Sequence, residues 1–348
     1  MKHNKYLYKI RFLLISICIL ASLIGCQKMD EDEEKEIQIG VVVYDEYDTF
    51  LSGLMESFMN GVSEESKNGR RITVKRYSAN GSQITENEQV EEMIEKGCNV
   101  ICVNLVDRTD PTMIIECARK ADVPVIFFNR ELVEKDLQSW NKLYYVGADA
   151  LESGIMQGEI AANIWQSDSS YDRNGDHMLQ YVVLEGEAGH QDSIVRSEYS
   201  VQTLVDQGIT VDKCESSIAN WKRGQAQTKM GQLIHKYGES IELVLCNNDD
   251  MALGAIDEYV AQQISKEKRP IIVGIDGTSV GLQAVIDGDL QGTVYNDKEG
   301  QADAMLHLAI AAVTGKNFDQ LPYFDGKYIR FPYVRITENN IHDYIIEE

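Results

Sequence analysis

One stretch between an apolar run and a helical pattern carries the densest chemistry in the sequence. It reads E-G-E-A-G-H-Q-D-S-I-V-R over residues 185–196. Asp192 and Arg196 are four residues apart, so a helix would place both side chains on one face. A carboxylate acceptor beside a five-donor guanidinium suits a polyhydroxylated ring, because each hydroxyl both donates and accepts. The pattern also fits a capped helix with a surface ion pair.

Side chains of the same chemistry follow several other strand-like runs. Asn and Asp are also common in turns and at helix N-caps, so any one of them alone would be weak evidence. Their recurrence at successive strand ends predicts a binding edge for a neutral sugar, in which two aromatic rings cover the apolar faces of the ligand. The candidate ligand-binding residues are Asp48, Phe50, Asn129, His190, Asp192, Arg196, Trp221, Asn248, Asp276 and Asn296.

The elements that must position these residues alternate along the chain from Ile37 onward. Short apolar runs, such as 37–44, 100–105 and 242–246, are separated by longer amphipathic segments, such as 50–63 and 193–207. Continuous apolar strands that alternate with helices predict an α/β fold with parallel sheets covered on both faces. Ligands of such sheets bind beyond the carboxyl ends of the strands, which is where the candidate residues fall.

The first 26 residues predict a leader rather than part of the fold. A basic beginning precedes an apolar run over residues 12–24, which is shorter than an ordinary membrane span and typical of a signal peptide. The run ends in L-I-G-C at Cys26, which resembles the lipobox of bacterial lipoproteins and implies cleavage before Cys26 and lipidation of its sulfur. The acidic residues 27–36 predict a solvated tether.

Charge and cysteine content exclude several classes of protein. The full chain of 348 residues has a formal charge of −23, and removal of the four basic residues of the leader makes it −27. Nucleic-acid binding is excluded because phosphates require Lys and Arg patches. No C-x-x-C pair is present, so we expect no zinc site. Of the five cysteines after Cys26, all but Cys214 lie in or beside apolar segments, and we interpret the five mainly as small buried side chains rather than as a disulfide framework.

Seven stretches together resemble the periplasmic glucose/galactose-binding proteins of ABC importers. They are I-G-V-V-V-Y-D-E-Y-D-T-F, P-V-I-F-F-N-R-E, Y-Y-V-G-A-D-A-L-E-S-G-I-M-Q-G, E-G-E-A-G-H-Q-D-S-I-V-R, C-N-N-D-D-M-A-L-G-A, V-G-I-D-G and G-T-V-Y-N-D. The resemblance implies a type I periplasmic-binding-protein fold, with two Rossmann-like lobes joined by three hinge crossings. The implied lobes are residues 37–147 with 297–332, and 148–296 with 333–348.

The same resemblance implies a function and roles for individual residues. The chain would be a monomer, lipid-anchored at Cys26 on the extracytoplasmic face of the cell membrane, that delivers D-galactose or D-glucose to an ABC permease. The ten candidate residues coincide with the sugar contacts of the family. Phe50 and Trp221 would stack on the two ring faces, Asp48 would bind the epimeric 4-hydroxyl, and Tyr44 would line the entrance.

A separate loop predicts a structural calcium ion. The segment D-R-N-G-D-H-M-L-Q over residues 172–180 has oxygen-bearing side chains at positions 1, 3, 5 and 9, and position 7 can serve through its backbone carbonyl. The resemblance implies that Glu242, from a distant strand, provides the last carboxylate ligand. His177 stands where a calcium loop of the EF-hand type has glycine, and it departs from that pattern. The predicted ligands are Asp172, Asn174, Asp176, Met178, Gln180 and Glu242.

Other classes of protein fit less well. The carboxylates could form a glycosidase pair, but no nucleophile elbow or phosphate-binding loop is present, so we expect no enzyme. A repressor would need a DNA-reading domain before Ile37, where the leader and tether stand. Two alternatives remain open: a receptor that signals to a sensor kinase or chemoreceptor, and a different monosaccharide as ligand.

Overall fold

The computed structural model describes residues 36–344. The predicted leader, the predicted lipidation site Cys26, the predicted tether up to residue 35 and the last four residues lie outside this range. Within it, the helices are all too short or too polar to span a bilayer.

A six-stranded sheet forms the first lobe, with strand order β11-β5-β4-β3-β1-β2, and every pairing in it is parallel. Helices pack on both faces because consecutive residues of each strand are apolar. On β1, for example, Val41 and Val43 face one core and Val42 faces the other. The strands are β1 Ile37–Val43, β2 Ile72–Ser78, β3 Val100–Val103, β4 Val125–Phe128, β5 Leu143–Ala148 and β11 Tyr328–Phe331. The helices are α1 Thr49–Lys67, α2 Gln83–Glu95, α3 Thr112–Ala121, α4 Glu134–Leu137 and α10 Lys298–Thr314.

The second lobe repeats this architecture around a parallel sheet of order β7-β6-β8-β9. Single bridges join β9 to β10, which pairs antiparallel with β12. The strands are β6 Leu179–Glu185, β7 Val211–Ile218, β8 Leu243–Cys246, β9 Ile271–Val273, β10 Thr293–Asn296 and β12 Tyr333–Ile336. The helices are α5 Ala150–Ser167, α6 Gln191–Asp206, α7 Arg223–Tyr237, α8 Asp249–Ala261 and α9 Ser279–Ile286.

The chain passes between the two sheets three times. It leaves the first sheet after β5, returns after β10 to form α10 and β11, and passes back through Pro332 into β12. The predicted α/β fold with two parallel-sheet lobes and three crossings is therefore confirmed.

The sequence pattern missed the last two strands and shortened others. β11 and β12 were not predicted, because they are only four residues long and Pro332 interrupts the apolar run that they share. The apolar pattern alone predicts only a short strand near Val211, whereas β7 continues to Ile218. Its residues are mostly half-buried, as is typical of a strand at the edge of a sheet, so the apolar signal is weak.

The cysteines of the described chain are all free thiols. Three of them, Cys98, Cys102 and Cys246, are buried in strands or beside them, as the sequence suggested. Cys117 is only partly buried, so the interpretation as a buried side chain is wrong for this residue. Cys214, which the sequence places outside an apolar segment, is also partly buried.

Candidate functional site

A polar cleft lies between the carboxyl ends of the two sheets. It measures about 370 Å³ together with the open space at its mouth. Nine of the ten predicted ligand-binding residues line it, and Tyr44 and Arg130 complete the wall. The lining residues are Tyr44, Asp48, Phe50, Asn129, Arg130, His190, Asp192, Arg196, Trp221, Asn248 and Asp276.

The first lobe contributes an acidic corner at the start of α1. Asp48 is the N-cap residue of this helix, and its Oδ1 accepts a hydrogen bond from the Leu51 amide at 2.9 Å. Its Oδ2 accepts from the Tyr44 hydroxyl at 2.8 Å. Burial and the Asp48 charge raise the pKa of Tyr44 far above its usual range, so Tyr44 stays a neutral donor. Phe50 follows in the first turn and is buried.

Asn129 is held beside this corner in a left-handed backbone conformation, with φ of 59°. Its Oδ1 accepts from the Nδ2 of Asn104 at 3.0 Å, and Asn104 is fully buried beneath the cleft. Because the carboxamide oxygen already has this partner, the Asn129 amino group is the part left to donate to a ligand. Strained backbone of this kind is often concentrated at functional sites.

Arg130 lies next to Asn129 and is only 4% exposed. Its guanidinium stacks on the Tyr44 ring at 3.6 Å from the centroid. It also donates to the Val106 carbonyl at 3.0 Å and pairs with Glu187 of the second lobe at 3.1 Å. Arg130 therefore joins the wall of the cleft to the opposite lobe.

The second lobe supplies an imidazole and an indole in edge-to-face contact. His190 is the N-cap residue of α6, and its Nδ1 accepts from the Asp192 amide at 3.1 Å. Burial lowers the pKa of His190 to about 4, so the ring is neutral at pH 7 with its proton on Nε2. The Trp221 ring lies 5.1 Å from the imidazole centroid, at 77°. The indole Nε1 has no hydrogen-bond partner within residues 36–344.

Arg196 is buried at the floor of the cleft, where it is 4% exposed. It donates to the Asn247 carbonyl at 2.7 Å and to the Tyr333 hydroxyl at 3.2 Å. The carboxylates of Asp192 and Asp276 each lie 3.7 Å from it. Its Nε has no partner in the described chain. A buried donor without an acceptor is costly, so Arg196 Nε and Trp221 Nε1 mark where a polar ligand would bind.

Asn248 and Asp276 complete the second wall. Asn248 is the N-cap residue of α8. Its Oδ1 accepts a hydrogen bond from the Met251 amide, and its Nδ2 donates to the Trp221 carbonyl at 3.3 Å. Asp276 has φ of 119°, and its burial raises the pKa of the carboxyl well above its usual range despite the nearby Arg196. A protonated Asp276 could donate as well as accept.

Asn296 is the one predicted residue that does not line the cleft. Its backbone amide donates to the Asp276 carbonyl at 3.0 Å, and its Oδ1 accepts from Gln301 at 2.5 Å. The side chain is buried under the Asp276 loop, so Asn296 supports that loop from behind.

Three polar contacts join the rims of the two lobes. Thr49 Oγ1 donates to Asp250 Oδ2 at 2.6 Å, Lys222 pairs with Asp45, and Arg130 pairs with Glu187. The described conformation is therefore one in which the lobes touch around the cleft.

The sequence reasoning missed the residues that hold the site from below. Asn104 supports Asn129, and the Asn247 side chain accepts from the Gly186 amide and the Ser193 hydroxyl. Asp249, which is fully buried, accepts from both the amide and the hydroxyl of Thr278 and from Thr293 Oγ1. Each follows an apolar strand, so their position gave a signal. The position of a residue in the sequence does not show whether its side chain faces the cleft, and these three side chains turn away from it.

The predicted calcium loop is folded around its own carboxylates. Asp172 and Asp176 accept from backbone amides of the loop. The buried Glu242 accepts from the Arg173 amide at 2.8 Å and the Gln180 amide at 3.1 Å. Burial and the charges of Asp172 and Asp176 raise the pKa of Glu242. His177 adopts a left-handed conformation, with φ of 62°, and tolerates the position of the glycine.

The atoms of this loop that could ligate a metal are all oxygens, which are the ligands that calcium prefers. The described chain contains no group of three His, Cys, Asp or Glu side chains placed to hold a metal unaided. The carboxamides of Asn174 and Gln180 instead donate to Asp176 Oδ2, both at 2.9 Å. The residues therefore fit calcium if these two carboxamides turn their oxygens inward and the Met178 carbonyl completes the set.

Comparison with known proteins defines the class to which this fold and cleft correspond. The D-galactose/methyl-galactoside binding periplasmic protein MglB of Haemophilus influenzae is 32% identical over 311 residues, covering 88% of this chain and 92% of that protein. A xylitol-binding protein of Mycolicibacterium smegmatis is 28% identical, covering 82% of this chain and 75% of that protein. An ABC transporter solute binding protein of Bacillus halodurans, solved with myo-inositol, has a TM-score of 0.75 at 25% identity, with 90% and 98% coverage.

Two parallel-sheet lobes that meet over a polar cleft are the architecture of the extracytoplasmic solute-binding proteins. The chain belongs to the periplasmic binding protein domain family, which matches it over residues 39–317. Members of this family are sugar-binding transport proteins and not enzymes, and a sugar ligand and an ABC transporter are their typical partners.

Proposed function

We propose that this chain binds D-galactose or D-glucose between its two lobes and delivers the sugar to an ABC permease. The observation that carries the proposal is the composition of the cleft. Carboxylates, a carboxamide and a neutral imidazole line the same cleft as Arg196 and Trp221. Arg196 Nε and Trp221 Nε1 are buried donors that have no partner in the described chain. Phe50 and Trp221 line the same space and supply the apolar surface for the faces of a ring.

Two observations support a hexose as the ligand: the position of Asp48 and the name of a similar protein. Asp48 keeps its Oδ2 at the cleft, where the Tyr44 hydroxyl fixes it and a carboxylate can accept from a hydroxyl in either epimeric orientation. The relative from Haemophilus influenzae is named for D-galactose and methyl-galactoside. The xylitol- and myo-inositol-binding proteins are more distant in identity and make other polyols the natural competitors.

Isothermal titration of the protein lacking residues 1–26 tests the proposal. Galactose or glucose should bind with a micromolar or lower Kd, and xylitol, ribose and myo-inositol should bind at least a hundredfold more weakly. Tighter binding of one of the other polyols would replace the hexose assignment. Reconstitution with candidate permeases in vesicles then separates delivery to a transporter from signalling to a kinase or chemoreceptor.

We also propose that a structural calcium ion binds at 172–180 with Glu242, and that a monomeric protein is anchored to the membrane by lipid on Cys26. Calcium would be held by oxygens of Asp172, Asn174, Asp176, Gln180 and Glu242 and by the Met178 carbonyl.

The lipid anchor is tested by fatty-acid labelling in the producing cell, where Cys26→Ser should abolish both the label and the membrane association. Light scattering of the soluble form should give the mass of one chain.

A further inference from the structure

The indole of Trp221 lies against the backbone of Gly186, the residue that follows β6. A Cβ atom at Gly186 would stand 2.1 Å from Cζ2 of Trp221 and 2.3 Å from Cε2 and Cη2, and these indole atoms are the three nearest outside the adjoining residues. Non-bonded carbon atoms are in contact at about 3.5–4.0 Å. The indole therefore fills the space that a side chain at Gly186 would need.

The backbone of Gly186 is fixed in place. Its buried amide donates to Oδ1 of Asn247 at 3.0 Å, and the Asn247 amide donates to the Leu184 carbonyl at 3.0 Å. The φ of Gly186 lies outside the left-handed region, so an alanine at this position would be opposed by the indole and not by its own backbone.

Trp221 is held as well. Its backbone has a φ of 63°, and its carbonyl accepts from Nδ2 of Asn248 at 3.3 Å. The His190 ring stands nearly perpendicular to the indole, with 5.1 Å between the centroids. The open space that the indole borders is the cleft, which Phe50 lines from the first lobe. A side chain at Gly186 would therefore push the indole into the space in which a ligand ring would bind.

We propose that Gly186 is a positioning residue for sugar binding, because the absence of a side chain there keeps the Trp221 indole out of the space for the ligand. The proposal rests on the proposed hexose binding for its ligand, whereas the position of the indole is a property of the sugar-free protein. Gly186 acts through the room that it leaves for Trp221 and not through a contact with the sugar.

The first test is a double-mutant cycle of Gly186→Ala with Trp221→Ala, measured by calorimetry with galactose and glucose. Gly186→Ala alone should weaken hexose binding at least tenfold, because it displaces an aromatic anchor. In the Trp221→Ala background the same change should alter binding less than twofold, because no indole remains to be displaced. Gly224→Ala is the matched control. Gly224 is exposed, a Cβ atom there meets nothing within 4 Å, and binding should stay within twofold of wild type.

The second test needs no sugar. In a protein that carries Trp140→Phe and Trp165→Phe, Trp221 is the one remaining tryptophan of the chain. Its side chain is buried, so acrylamide should quench its fluorescence weakly. Gly186→Ala should raise the quenching constant at least twofold by moving the indole into the cleft, and Gly224→Ala should leave it unchanged.

Equal losses of affinity from Gly186→Ala with and without the indole would overturn the proposal, and so would an unchanged quenching constant. If Gly186→Ala alone does not fold, the double variant decides. It should fold and melt within about 3 °C of Trp221→Ala, and its failure to fold would show that Gly186 is needed for another reason. Failure of both hexoses to bind wild-type protein would instead reject the proposed function, and the quenching result would still decide whether Gly186 positions the indole.

Discussion

At the scale of single residues, we expect ligand binding to depend most on Trp221. It is buried, its backbone has a φ of 63°, and its indole nitrogen has no partner in the described chain. Trp221→Ala should weaken hexose binding by about 2 kcal/mol or more, which is about thirtyfold, as is usual for a buried aromatic anchor. Calorimetry below the unfolding temperature measures this. Trp165→Ala is the control, since Trp165 is half-buried and does not line the cleft; equal losses in both variants would contradict the assignment.

His190 gives the site a dependence on pH. Burial lowers its pKa to about 4 in the folded protein, below the value of about 6.5 in an unfolded chain. The unfolded state therefore binds more protons in this window, and the stabilisation present above pH 6.5 is lost as the pH falls towards 4. Wild-type protein should lose about 2 kcal/mol more free energy of unfolding than His190→Gln between pH 7 and pH 4.5. Denaturant titrations at the two pH values check this, and parallel losses would remove His190 as the cause.

At the scale of elements, the buried Asp249 ties the start of α8 to the loop that carries Asp276. Its oxygens accept from Thr278 and Thr293, and burial raises its pKa to about 7. Asp249→Ala would leave these donors unsatisfied, costing about 3 kcal/mol of stability and loosening the Asp276 loop, so hexose affinity should fall about tenfold. Asp249→Asn can accept from the Thr278 amide and donate to Thr293, and should restore affinity.

Whether Asp249 acts through the loop is decided by a double-mutant cycle. Combined with Asp276→Ala, Asp249→Ala should cost no further affinity, because the contact it positions is already absent. Additive losses would mean that Asp249 affects binding by another route.

The loop over residues 172–180 gives a second prediction at the scale of elements, namely that calcium stabilises the folded protein. Asp172, Asp176 and Glu242 crowd negative charge that a cation would relieve, and a ligand that binds only the folded state stabilises it. A calcium concentration one hundred times its Kd should raise the free energy of unfolding by about 2.7 kcal/mol. Glu242→Gln should abolish most of this gain, whereas Glu239→Gln, a nearby control outside the ligand set, should keep it. Equal melting temperatures with calcium and with chelator would contradict the assignment of a calcium site to this loop.

At the scale of the whole molecule, the ion pairs between the rims stabilise the touching arrangement of the lobes. Partly exposed pairs contribute about 0.2–1 kcal/mol each. The double variant Asp45→Asn, Glu187→Gln should therefore weaken hexose binding about fivefold at low salt, with little change in unfolding temperature. Small-angle scattering should show a more open average shape in the absence of sugar. Asp257→Asn removes an ion pair within the second lobe and should leave both measurements unchanged.

The sequence predicted most of the fold because parallel strands buried on both faces are continuous apolar runs. It also indicated nine of the residues that line the cleft, since strand ends in such a sheet meet at one edge. It could not separate Asn248, which faces the cleft, from Asn247 and Asp249, which turn into the lobe. Nor could it foresee that Asn296 lies behind the Asp276 loop. Side-chain direction at a strand end depends on tertiary contacts that a one-dimensional pattern does not contain.

The two last strands bear on how the protein is made. β11 pairs with β5 at the edge of the first sheet, β12 pairs with β10 beside the second, and only Pro332 separates them. Both lobes therefore receive a strand from the last part of the chain, and pairing over such long sequence separations is slow. We expect the nascent chain to complete its two lobes only late in synthesis, and an incompletely folded polypeptide is the form that can be threaded through a narrow export channel.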